Sequence, residues 1–111
     1  MANNFKETLS ETKQSAALLR AYNKHALDAF SSMRNSIIVN ETLDPKVREL
    51  IAIAVAVSKQ CEPCIASHVA QAKAAGASAE EVAAATGVAM AMSAGAAYVY
   101  SLKTLEAYEQ L

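Results

Sequence analysis

The chain has 111 residues, of which 53% are hydrophobic, 5% aromatic and none tryptophan, and its formal net charge is −1. That length excludes two domains of ordinary size, so one domain spanning 1–111 is expected. The near-neutral charge and the lack of Lys/Arg clusters exclude the electrostatic footprint of a nucleic-acid binder.

Ala is abundant while aromatic residues are few, which favours closely packed helices over a sheet and predicts an all-α fold. The first residues lack the basic segment and apolar run of a secretory signal, so a cytoplasmic protein is expected. In that compartment a lone cysteine pair is more often catalytic or metal-binding than a structural staple. From Phe5 apolar residues recur at helical spacing: Leu9, Ala16, Leu19, Tyr22, Ala26, Phe30, Met33 and Ile37. They predict one long helix or two in tandem over about 3–38, with His25 on one face. Asn35-Ser36 and Asn40-Glu41-Thr42 are the expected breaks.

Asp44-Pro45 then supplies an N-cap followed by proline at the first helical position, so a helix is expected from Pro45 to about Val57. Ser58-Lys59-Gln60 interrupts it. The next helix begins near Cys61 or Glu62, with Pro63 in its first turn and Gly76 just past its end. Ser78 and Glu81 have the spacing of a capping box and open a last helical region running to about Glu109. Gly87, Ser93 and Gly95 within it predict a kink or two abutting helices. The expected sum is a compact bundle of about five to six helices.

Val82 to Leu102 carries no charge and is long enough to cross a bilayer. It is built of Ala, Gly, Ser, Thr and Met, with no basic flank beyond Lys103, so burial between subunits is expected instead of a membrane span. Met90, Met92, Tyr98 and Tyr100 read as core or interface, and the uncharged Val82–Leu102 segment in so small a chain makes a homo-oligomer the expected state.

Chemistry concentrates in Glu49, Cys61-Glu62-Pro63-Cys64 and His68, which include both cysteines of the chain. Residues three and four apart share a helix face, so Cys61, Cys64 and His68 form one stripe. Three residues of helix advance about 4.5 Å, compatible with the Cα separation of about 4.4–6.8 Å in a disulfide. A helix N-terminus and a nearby imidazole both favour a thiolate and lower a thiol pKa to roughly 3.5–7.5. Cys64, one turn from His68, is the better attacking thiolate, and Cys61 the resolving thiol. Glu49 reaches this stripe only if the chain reverses at Ser58–Gln60, which brings it level with His68 across a helical hairpin. A carboxylate inside the apolar run Leu50–Val57 needs a partner when buried. Two rivals stand beside a redox pair: a zinc site of two thiolates, imidazole and carboxylate, crowded on one helix face, and cysteines that are merely small core residues. A thioredoxin-like site is disfavoured because no βαβ pattern surrounds the cysteines.

The spacing of Glu49, Cys61, Cys64 and His68, with Arg48-Glu-Leu-Ile-Ala-Ile-Ala-Val55, Gly76-Ala-Ser78 and Glu80-Glu-Val82, resembles the AhpD-like alkylhydroperoxidase branch of the carboxymuconolactone decarboxylase family. The resemblance covers about 43–100. It implies an all-helical fold assembled as trimers or hexamers and a thiol-dependent peroxidase; no cofactor and no resident metal are expected. Cys64 would attack a small hydroperoxide, Cys61 would resolve the sulfenic acid as a disulfide, and His68 and Glu49 would relay protons. An external dithiol, of thioredoxin or lipoyl type, would restore the pair. The best-known peroxidase of the family has a histidine between its cysteines, where this chain has Glu62-Pro63. A carboxylate there opposes thiolate formation unless it faces solvent. The family's lactone decarboxylases lack the cysteine pair, so a decarboxylase using His68 and Glu49 is the second reading, and a Cys/His metal-binding module the third.

Overall fold

The structure is a computed structural model that describes residues 4–111. Five helices follow in order: α1 (Phe5–Tyr22), α2 (Lys24–Ile38), α3 (Pro45–Ser58), α4 (Glu62–Ala74) and α5 (Ala79–Gln110). There is no strand among the described residues.

Asn23 divides the first apolar stretch, ending α1 and capping α2, where its side-chain oxygen accepts from the Ala26 N–H. Across this joint Arg20 and Lys24 both pair with Asp28, and the hydrogen bonds from Lys24 and then Arg20 hold its carboxyl below the usual carboxylate range. The expected break at Asn35-Ser36 is absent. Helix α2 runs through it to Ile38, with the Ser36 hydroxyl donating to the Met33 carbonyl instead of competing for the backbone.

Helix α3 starts as its sequence dictates: the Asp44 side chain accepts from the Lys46 N–H, and Pro45 occupies the first turn. It ends in a Schellman motif, with the Gln60 N–H donating to Val57 and the Cys61 N–H to Ala56. The left-handed residue of that motif is Gln60, at φ 55°. This conformation costs a non-glycine residue roughly 1–2 kcal/mol, and it is the device that reverses the chain between α3 and α4. The end of α4 repeats the motif with Gly76 at φ 91°, where the Ala77 N–H donates to Ala72. Gly76→Ala is expected to lower the unfolding free energy by about 1–2 kcal/mol, measurable by urea denaturation.

The Ser78–Glu81 capping box is formed in both directions. Glu81 also receives Lys46 at 2.9 Å, tying the start of α5 to the start of α3. This hydrogen bond holds the Glu81 carboxyl low and the Lys46 ammonium high. From there α5 continues unbroken for 32 residues, so Gly87, Ser93 and Gly95 do not divide it into two helices.

Helix α3 packs against both α4 and α5, and α1 against α4. The buried residues of this core are Ile53, Ala56, Ala66, Ala72 and Ala89, with Glu49 among them. Small side chains let the helices approach closely, but they leave the single chain open. Its radius of gyration is 18.1 Å, against about 13 Å for a closely packed domain of this length. The all-helical bundle is therefore less compact than its composition suggested. Met90, Met92, Tyr98 and Tyr100 lie outside the chain's own core, each 64–72% exposed. The same is true of most of the apolar face expected on α1 and α2. By length and composition alone α5 could cross a membrane, and nearly all of it is uncovered within the chain.

Candidate active site

Two contacts carry the local chemistry of α3 and α4: Glu49 with His68, and Cys61 with Cys64. The Gln60 turn sets the two helices antiparallel and in a register that brings Glu49, in the second turn of α3, to His68, in the middle of α4. Their separation is 2.7 Å between Glu49 Oε2 and His68 Nδ1. Glu49 is 4% exposed, and its other oxygen accepts from Arg48 Nε at 3.3 Å. Both carboxylate oxygens thus have donors, which is what makes burial of this charge tolerable. Among the described residues no buried side-chain nitrogen or oxygen lacks a partner.

A carboxylate can only accept, so Nδ1–H donates to Glu49 and Nε2 is turned away from it. The histidine side chain is 30% exposed, half-covered and still reachable. Glu49 therefore fixes both the tautomer and the direction of His68.

Cys61 and Cys64 are joined as a disulfide with a Cα separation of 5.2 Å. Cys61 is the N-cap of α4: its backbone is extended, and its sulfur accepts from the Cys64 N–H at 3.3 Å. Sulfur thus takes the place that a serine or aspartate oxygen normally holds at a helix start. Both cysteines are half-buried. Glu62 and Pro63 between them are exposed in the first helical turn. The Glu62 carboxylate consequently faces solvent, the condition under which its opposition to a thiolate is weakest, and its position at the helix start is electrostatically favourable.

An open cleft of about 360 Å³ lies beside Glu49 and His68, bounded by α2, the α2–α3 connection, α3 and α4. Glu49 and His68 line it together with Arg48 and Gln71, and Phe30, Ile37 and Leu43 form much of its apolar wall. The structure thus brings Glu49 to His68 and Cys61 to Cys64, the latter two on the same helix as His68. Sequence reasoning identifies neither the bond from Arg48 to Glu49 nor the α2 wall of the cleft. The charge of Arg34 within an otherwise apolar helical face was the available signal.

The profile described as the carboxymuconolactone decarboxylase family matches residues 24–107. A protein of Haemophilus influenzae of uncharacterised function is 46% identical over 108 residues, covering 97% of this chain and 96% of that protein. Uncharacterised protein 4 in the cox locus of Paracoccus denitrificans is 37% identical over 105 residues, covering 93% and 95%. Among solved structures, the apo form of a carboxymuconolactone decarboxylase family protein from Legionella pneumophila superposes with a TM-score of 0.76 at 31% identity, covering 98% of this chain and 97% of that one. The helical fold, the span of the match and these full-length relatives agree: the chain belongs to the carboxymuconolactone decarboxylase family.

Proposed function

We propose that the protein is a thiol-dependent peroxidase of the AhpD-like kind, which reduces small organic hydroperoxides through Cys61 and Cys64. The observation that carries this reading is the disulfide at the start of α4, on the helix whose His68 is held by a buried carboxylate. In the reduced protein the Cys64 thiolate attacks the distal oxygen of the hydroperoxide. The O–O bond breaks, oxygen is transferred to sulfur as a sulfenic acid, and the departing alkoxide takes a proton from the His68–Glu49 relay. The Cys61 thiolate then attacks the Cys64 sulfur, water leaves, and the disulfide forms. An external dithiol supplies the two electrons that reopen it by thiol–disulfide exchange.

The test is hydroperoxide consumption with dithiothreitol as reductant, before and after thiol alkylation. Activity that disappears on alkylation supports the reading. A reaction on a small carboxylic acid that survives alkylation would point to the decarboxylase alternative instead.

We further propose that the protein works in the cytoplasm as a homo-oligomer, a trimer or hexamer, with α5 buried between copies. Support comes from the apolar length of α5 left uncovered and the small residues along it. A Cβ built at Gly95 meets no atom within 4 Å in the single chain. Gly95→Leu is therefore expected to leave the subunit folded while lowering the molar mass seen by light scattering. A wild-type monomer at micromolar concentration would contradict the assembly.

A further inference from the structure

We infer that the cleft beside Glu49 and His68 selects hydroperoxides whose apolar body carries a carboxylate, and that Arg34 receives that carboxylate. The inference rests on the peroxidase reading above and names the substrate class of that site. Two arginines line the cleft, and they differ in what they already hold. Arg48 is committed: Nε donates to Glu49 and Nη1 to the Ile38 carbonyl at 3.4 Å, with the side chain 18% exposed. Arg34 forms no ion pair among the described residues. Its guanidinium lies over the Phe30 ring, 5.8 Å from the centroid.

Phe30 and Arg34 are one turn apart on the same face of α2, so the stack holds the guanidinium at the apolar wall. Its planar fork is suited to bidentate capture of a carboxylate. Between Arg34 and the polar end at Glu49, His68 and Gln71, the wall is apolar, with Ile37, Ile51 and Ala52 on it. The cleft is open and about 360 Å³ in volume, within the usual range of small-ligand sites, and a medium-chain acid is a probe of that size class. With its carboxylate on Arg34 and its chain along the wall, a peroxide group on the chain is offered to the end of the cleft where Glu49 and His68 lie. The reaction then turns a hydroperoxy acid into the hydroxy acid, with oxygen passing to the Cys64 sulfur and the two electrons coming from the external dithiol.

Two measurements on the full-length protein test this. The first is calorimetric binding of decanoate, which needs no turnover, to wild type, Arg34→Gln and Arg34→Lys. Decanoate is expected to bind about ten- to a hundredfold more weakly to Arg34→Gln, with part of the loss restored by Lys. The second is kcat/KM for a medium-chain fatty-acid hydroperoxide relative to its methyl ester. The wild type is expected to prefer the acid by about tenfold or more, and Arg34→Gln to bring that ratio close to one. Equal decanoate affinity in wild type and Arg34→Gln, or no preference for the acid over the ester, overturns the inference. Arg34-dependent decanoate binding without hydroperoxide turnover upholds the acid site and overturns the peroxidase reading, so the two failures are distinguishable.

Discussion

Replacing Cys64 by serine is expected to reduce hydroperoxide consumption under dithiol recycling to the uncatalysed rate. Serine keeps the size of the side chain but not the thiolate, and no other cysteine besides Cys61 exists in the chain to replace it. Cys61→Ser is expected to behave differently. Its Cys64 remains on the helix face that leads to His68, so one sulfenic acid per chain should form and accumulate, trapped by a dimedone-type reagent and read by mass spectrometry. Serine can also retain the N-cap role of Cys61, because its hydroxyl oxygen can accept from the residue-64 N–H as the sulfur does. The helix start therefore survives the change, and lost turnover in Cys61→Ser reports on chemistry instead of folding. Full turnover in Cys64→Ser, or a trapped sulfenic acid at Cys61, would reverse the assignment of the two sulfurs.

The second large effect is expected at Glu49. Glu49→Gln preserves shape and still offers His68 an acceptor, yet it removes the charge that completes a proton relay. A positioned acid–base group contributes about 10²–10⁴ in rate, and a loss in kcat/KM within that range is expected. The variant should remain folded. Glu49→Ala, by contrast, leaves His68 Nδ1 without its acceptor and Arg48 Nε without its carboxylate, and should cost about 1–3 kcal/mol of stability as well. Comparing the two by steady-state kinetics and urea denaturation separates chemistry from structure. Wild-type kcat/KM in Glu49→Gln would remove the carboxylate from the mechanism.

Much of this geometry was legible because it is local. Asp44-Pro45, Ser78 with Glu81, and Gly76 each announce a helix end through groups within a few residues, and each end lies where those groups put it. Cys61 and Cys64 share a face by helical phase alone, and the pairing of Glu49 with His68 followed from counting residues on either side of one turn. What escaped was whatever depends on the balance between elements. Ser36 looked like a breaker, but its hydroxyl bonds back to the preceding turn. Gly87 and Gly95 suggest a join between two abutting helices, yet one helix runs past both. Gln60 gave no sign that it would take the left-handed position usually held by glycine. The cleft was invisible because α2 reaches it only through tertiary packing, which no periodicity reports.

The cleft also bears on the departure at Glu62-Pro63. Both residues face solvent at the start of α4, on the outside of the disulfide turn, while Glu49 and His68 line the cleft. The unusual pair between the sulfurs thus does not line the cleft.

The most direct test of the central claim is a thiol titration of the fully reduced protein against one equivalent of an organic hydroperoxide. Two thiols per chain are expected to disappear together, one equivalent of alcohol to form, and dithiothreitol to return both thiols. Two thiols that persist in the presence of the hydroperoxide would contradict that claim.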